Sequence, residues 1–110
     1  MNIKYNANIQ SDAIKLNLKR LTNQIYKLLP NWEEAIDWKK PLTTIIEEFA
    51  GMDRLVPEYH EILFSLLCKL EGLFTIPEDT NKNEEQQFFI FRKTVFECLG
   101  LVNNLLKLCH

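Results

Sequence analysis

The sequence predicts an all-α protein, an antiparallel four-helix bundle with a short extra helix or turn at 31–40. Apolar residues recur at intervals of three and four, and no segment alternates with a period of two. No Asn-Gly or Asp-Gly pair marks a hairpin turn. The chain of 110 residues is divided into segments of helical length by Pro30, Pro41, Pro57 and Pro77. These observations predict a single helical domain over 1–110, with residues 1–10 as a candidate loose N-terminal arm.

The first long helix has both a start signal and an apolar stripe. Ser11 or Asp12 can cap it by accepting a main-chain N–H hydrogen bond, and it runs to about Leu29. Its stripe consists of residues at 4-3-4-3 spacing: Ile14, Leu18, Leu21, Ile25 and Leu28. Pro41 fits the first turn of the second helix, because that position needs no main-chain N–H donor.

The later helices have equally local signals. The second helix ends near Met52 or continues to Leu55, and Pro57 opens the third. The third helix carries a wide apolar stripe: Tyr59, Ile62, Leu63, Leu66, Leu67, Leu70, Leu73 and Phe74. Asn83 followed three residues later by Gln86 matches a capping box, which predicts the start of a fourth helix that runs to the C-terminus.

The last helix is apolar over an unusually wide arc, and two explanations compete. In the first, it is the central helix and packs against three others, so it is apolar nearly all round. In the second, four of its residues stay exposed in the monomer and form a self-association surface. These four residues are Ile90, Leu101, Leu105 and Leu108. A homodimer is the corresponding expectation.

The segment NWEEAIDWKKPL, residues 31–42, contains both tryptophans of the chain, and we call it the connector. A short helix from Asn31 would place Trp32, Ala35 and Ile36 together, with Trp38 off that face. One interpretation is that both indoles cover an open end of the bundle. The other is a partner-binding surface, in which acids surround an aromatic anchor. Its residues are Trp32, Glu33, Glu34, Asp37 and Trp38.

Charge is unevenly distributed, although the net charge is only −2. Residues 1–29 hold five basic residues and one aspartate, whereas residues 30–61 hold eight acids and three basic residues. The first helix and the acidic middle can therefore attract each other within the bundle. The alternative is that the basic residues of the first helix bind nucleic acid, although no aromatic residues interleave with these basic residues. The basic residues concerned are Lys15, Lys19, Arg20 and Lys27.

Motifs of catalysis and metal binding are missing from the sequence. It contains no phosphate-binding glycine loop, no His-Glu-x-x-His and no EF-hand. His60 lies near two glutamates, but no Glu-x-x-His pair of a di-iron bundle occurs. We expect His60 to be a surface histidine, and Cys68 and Cys98 to be buried thiols. Catalytic residues, metals and cofactors are not expected; an enzyme with a pocket around His60 is the weakest alternative.

The sequence also gives expectations about location and role. The start, MNIKYNANIQ, lacks the apolar run of a secretory signal, and no apolar stretch approaches the roughly 20 residues of a membrane span. We expect a cytoplasmic protein without membrane contacts. Residues 24–52 resemble small phage or prophage accessory proteins in general character, without a family motif. The sequence thus favours a non-catalytic protein–protein interaction module, such as a small adaptor, inhibitor or assembly factor.

Overall fold

A computed structural model describes the main chain of residues 3–109 and the side chains of residues 12–109. Within this range the chain is helical and contains no strand, so the all-α prediction is confirmed. The described residues form five α-helices: α1 (Ile3–Tyr26), α2 (Leu28–Glu33), α3 (Lys39–Leu55), α4 (His60–Gly72) and α5 (Glu84–Leu108). Two 3₁₀ turns lie at Pro57–Tyr59 and Leu73–Glu78. The antiparallel order of the helices and the single domain stay predictions.

The α1 helix begins at Ile3 and passes through Ser11 and Asp12. The predicted cap is therefore wrong, because serine and aspartate lower helix propensity without ending a helix that continues on both sides. Whether residues 1–10 pack loosely depends on side chains outside the described ones, so the arm stays a prediction. At its other end α1 stops at Tyr26, and Lys27 alone separates it from α2.

The α2 helix ends earlier than the sequence suggested, in a Schellman motif. The N–H of Ile36 donates to the carbonyl of Asn31 at 2.8 Å, and that of Ala35 to the carbonyl of Trp32 at 3.2 Å. Ala35 occupies the left-handed region, with φ of 58°. Glycine is the residue that most often adopts this backbone conformation. The predicted helical face of Trp32, Ala35 and Ile36 is therefore wrong, because α2 ends at Glu33 and Ala35 is not helical.

Asp37 fixes the start of α3. The main-chain N–H groups of Lys39 and Lys40 donate to Asp37 Oδ1, at 3.0 and 3.3 Å. Pro41 follows as the third residue of the helix, within the first turn as predicted, where its missing N–H leaves no bond unmade. The helix continues to Leu55, which was the longer of the two expected ends.

The second half of the chain follows its sequence signals closely. The stripe of the third predicted helix is buried at Leu63, Leu66, Leu70 and Leu73. At the start of α5, Asn83 accepts from the Gln86 N–H at 2.8 Å and its own N–H donates to Gln86 Oε1 at 3.0 Å. The capping box is confirmed. The Tyr59 hydroxyl donates to the Leu108 carbonyl at 3.3 Å, which ties the first 3₁₀ turn to the end of α5.

Packing explains the wide apolar arc of α5. This helix contacts α1, α2, α4 and the 3₁₀ turn Leu73–Glu78, whereas α3 packs on α1 and α4. Its buried residues are Phe91, Val95, Cys98, Leu99, Val102 and Leu105. Leu105 is only 1% exposed. The expectation that Leu105 is exposed for self-association is wrong, because it faces the core.

Ion pairs join neighbouring helices on the surface. Arg20 of α1 meets Glu48 of α3 at 2.8 Å, and Lys69 of α4 meets Glu97 of α5 at 3.4 Å. The first pair links the basic first helix to the acidic middle of the chain, as the charge distribution indicated. Among the described residues, no helix combines the length and apolar character that crossing a membrane requires.

Candidate protein-binding site

A cavity lies where the connector meets the start of α5. It is an open cleft of about 650 Å³, which we call the tryptophan cleft. Its lining residues come from α2, the loop after it, the start of α3, the second 3₁₀ turn and the first turns of α5. They are Trp32, Glu33, Ala35, Trp38, Lys39, Pro77, Glu84, Glu85, Gln87 and Phe88. The volume falls within the roughly 300–1,000 Å³ of ligand sites.

Aromatic rings form the apolar part of the tryptophan cleft. The ring centroids of Trp32 and Trp38 lie 5.3 Å apart, and that of Phe88 lies 6.4 Å from Trp32. Behind them the buried Phe91 ring lies 4.4 Å from Trp32 and 5.0 Å from Trp38. Phe74 stacks on Trp38 from the second 3₁₀ turn, at 6.2 Å. Phe91 and Phe74 thus pack against the indoles from within the fold, and Trp32 is only half-buried.

Carboxylates dominate the polar part of the cleft. Glu33 ends α2, and Glu84 and Glu85 occupy the first turn of α5. All three side chains are exposed. Lys39 is the basic residue of the lining, and its Nζ lies 5.8 Å from the Trp38 ring centroid. The cleft therefore combines indole faces with a local excess of negative charge.

The structure divides the predicted partner-binding residues into three roles. Trp38 is 9% exposed and belongs to the core, whereas Trp32 is half-buried and lines the cleft. Glu33 also lines the cleft, and Glu34 is exposed outside it. Asp37 caps α3. That both indoles cover an open end of the bundle stays a prediction; the two rings pack on each other and on Phe91.

Sequence reasoning missed the contribution of α5 to the cleft. Phe88 shares the helical spacing of Phe91 and Val95, which is typical of core residues, and no motif distinguishes Glu84 or Glu85 from other acids. The capping box at Asn83 places these acids in the first turn of a helix, where a negative charge interacts favourably with the helix dipole. Nothing in one sequence placed that turn beside the connector.

The predicted self-association residues of α5 are covered to different extents. Ile90 is half-buried, and Leu101 is half-buried against the core. Leu105 is buried, and Leu108 is 44% exposed. Phe89 is the apolar residue that α5 exposes most, at 68%, and Phe96 is as exposed as Leu108, at 44%. A second open cavity, of about 490 Å³, lies beside Phe89 and is lined by Lys82, Glu85, Gln86, Phe89 and Ile90.

The basic residues of α1 are partly engaged within the chain. Arg20 is paired with Glu48, which leaves less of its charge for a phosphate. Lys15 is half-buried, whereas Lys19 and Lys27 are exposed. Binding of nucleic acid by this helix stays a prediction.

Reactive side chains are dispersed. His60 is exposed at the start of α4, and its Nδ1 lies 2.9 Å from Asp53 Oδ1, so the prediction of a surface histidine is confirmed. Cys68 is exposed, which corrects the expectation of a buried thiol, because it lies opposite the buried stripe of α4. Burial raises the pKa of the Cys98 thiol to about 12. Residues 12–109 contain no group of three metal-ligating side chains.

Comparisons with protein-family models, with curated proteins and with solved structures give no match for this chain. A functional proposal therefore depends on the geometry and charge of the tryptophan cleft.

Proposed function

We propose that this chain is a non-catalytic protein–protein interaction module that binds a basic segment of a partner protein in the tryptophan cleft. The observation that carries the proposal is one cavity in which the half-buried Trp32 lies beside three exposed carboxylates. An indole face attracts a cation through its quadrupole. Carboxylates at the rim attract the same cation at longer range.

Arginine fits the cleft better than other side chains. Its planar guanidinium stacks on aromatic rings and pairs with carboxylates through two parallel hydrogen bonds. Trp32 and Phe88 offer the rings, and Glu33, Glu84 and Glu85 offer the carboxylates. Because Trp32 is held against Phe91, binding costs little side-chain ordering on this side of the interface.

The position of Lys39 supports a cation-binding role. Its ammonium group lies 5.8 Å from the Trp38 ring, so the cleft already accommodates a positive charge beside an indole. The same charge repels an incoming guanidinium. The proposal therefore requires that Lys39 weakens the binding of a basic partner, while the glutamates strengthen it.

A direct test uses a short capped arginine–glycine peptide as the probe and tryptophan fluorescence of the full chain as the readout. We expect saturable binding that weakens as salt is raised, because screening reduces the attraction of the carboxylates. Glu85→Gln should weaken binding and Lys39→Gln should strengthen it. A matched peptide with glutamate in place of arginine should not bind. If the arginine peptide fails to bind, or if Lys39→Gln weakens binding, the proposed charge preference is wrong.

A second test asks whether the cleft carries the interaction with proteins. The chain is used to capture partners from its native cell, and Trp32→Ala is compared with Phe64→Ala. Phe64 is an exposed aromatic residue of α4, 57% exposed, and does not line the tryptophan cleft. We expect Trp32→Ala to weaken capture by at least about tenfold, while Phe64→Ala keeps it. Equal loss or equal retention in both variants would contradict the role of the cleft.

A further inference from the structure

We propose that the exposed face of α5 around Phe89 joins two copies of this chain in an antiparallel pair of helices. The face consists of Glu85, Gln86, Phe89, Arg92 and Lys93, which we call the Phe89 face. All five residues are exposed. The proposal goes beyond the tryptophan cleft, with which the Phe89 face shares only Glu85.

Helix geometry places these residues on one side. Glu85 and Lys93 lie four residues before and after Phe89, and Gln86 and Arg92 lie three residues before and after it. Such spacings put side chains on neighbouring turns of the same helix face. Phe89 thus stands at the centre of a polar surface, with 68% of its own surface exposed.

The charges of the Phe89 face are complementary to those of a second copy. Its N-terminal half carries Glu85 and its C-terminal half carries Arg92 and Lys93. A two-fold axis at Phe89 pairs each residue with the one equally far beyond Phe89 in the other copy. Glu85 then meets Lys93 of the second copy, twice, and Gln86 meets Arg92. A parallel pair would instead place like charges opposite each other.

The Phe89 face also has a cavity that could hold the Phe89 ring of the second copy. The cavity of about 490 Å³ is lined by the side of Phe89 and by the half-buried Ile90. Around the two-fold axis, Phe89 of each copy enters the cavity of the other, and the exposed ring is removed from water. A second copy is the occupant that supplies both the ring and the matching charges.

The interface is small, so the dimer is weak. A single pair of helix faces buries less than the roughly 1,200 Å² of a stable protein interface. We therefore expect a monomer in dilute solution and a dimer as the concentration rises toward about 1 mM. Sedimentation equilibrium on the full chain measures this change in mass directly.

The first variants test the aromatic centre. Phe89→Glu should weaken dimerisation by at least about tenfold. Phe64→Glu is the matched control, since it adds the same charge at an exposed phenylalanine of α4, and it should dimerise like the unaltered chain. Circular dichroism checks that both variants remain helical. A mass of one chain for the unaltered protein at all concentrations, or equal effects of the two variants, would overturn the proposal.

A charge exchange tests the antiparallel geometry. Glu85→Lys and Lys93→Glu each bring like charges together across the two-fold axis, so each should weaken dimerisation by about tenfold or more at low salt. The double variant restores opposite charges and should regain most of the lost affinity. A double variant as weak as either single variant would exclude this pairing. Trp32→Ala should dimerise normally, which separates a failure of the tryptophan cleft from a failure of the Phe89 face.

Discussion

The ring centroids of Trp32 and Trp38 lie 5.3 Å apart, and the left-handed Ala35 lies between the two residues in the chain. Both rings pack on Phe91, at 4.4 and 5.0 Å. The two tryptophans nevertheless differ in exposure, since Trp38 is buried and Trp32 is half-buried. This difference separates their contributions to stability from their contributions to binding.

Trp38 should stabilise the fold more than Trp32. We expect Trp38→Ala to lower the free energy of unfolding by about 3–5 kcal/mol, the usual cost of emptying a buried aromatic site. Trp32→Ala should cost about 1–2 kcal/mol, because part of its ring already contacts water. Urea unfolding followed by circular dichroism measures both values. An equal or larger loss for Trp32→Ala would contradict the burial of Trp38.

Replacing Ala35 by glycine should stabilise the fold. Its φ of 58° costs an L-residue about 1–2 kcal/mol, and glycine avoids this strain. We expect Ala35→Gly to raise the free energy of unfolding by about 0.5–1 kcal/mol, after the greater freedom of glycine in the unfolded chain is subtracted.

The matched control for this change lies in a regular helix. Ala13→Gly alters an exposed alanine of α1 and should cost about 1 kcal/mol, because glycine disfavours helix interiors. Opposite signs in the two variants, again measured by urea unfolding, are the expected result. Destabilisation by both would mean that the α2 helix does not end in a left-handed residue.

Asp37 should act as a cap and not as a binding residue. Loss of its two hydrogen bonds to the start of α3 should lower the free energy of unfolding by about 1 kcal/mol in Asp37→Ala. Glu34→Ala, a nearby exposed acid, should stay within about 0.5 kcal/mol of the unaltered chain. The affinity for the arginine peptide should fall little in Asp37→Ala. A large loss of affinity would mean that Asp37 takes part in binding.

Cys98 should make the fold sensitive to alkaline pH. Burial raises the pKa of its thiol from 9.0 to about 12, so the folded chain retains a proton that the unfolded chain releases. This contribution to stability is fully present below about pH 9 and is lost as the pH rises toward about 12. The free energy of unfolding should therefore fall less between about pH 8 and pH 10.5 in Cys98→Ala than in the unaltered chain.

The exposed Cys68 is the control for that comparison. Cys68→Ala is matched to Cys98→Ala in the atoms it removes, but it removes them from an exposed position of α4. If Cys98→Ala and Cys68→Ala respond alike, burial does not shift the titration of Cys98.

The parts of the fold that could be predicted from the sequence depend on local interactions. The stripe from Leu63 to Leu73 is visible because helical spacing alone decides which residues share a face. The capping box of Asn83 and Gln86 is visible because its two hydrogen bonds join residues three apart. The end of α2 was missed, since Ala35 carries none of the composition signals that mark a left-handed turn.

The candidate site could be predicted only in part, because it is built by packing between distant segments. The sequence singled out Trp32 and Glu33, which do line the tryptophan cleft. Phe88 joins them from more than fifty residues away in the sequence. The same limit applies to the exposed side of α5: this helix is apolar over a wide arc, and only the neighbouring elements decide that Leu105 is buried and Phe89 is not.

Glu85 lines both the tryptophan cleft and the cavity beside Phe89. One carboxylate therefore serves a basic partner on one side of α5 and Lys93 of a second copy on the other. The two proposed equilibria are therefore thermodynamically coupled. If dimerisation lowers the affinity for a basic segment by some factor, binding of that segment lowers the dimerisation affinity by the same factor. The local concentration of the chain would then regulate how readily it accepts a partner.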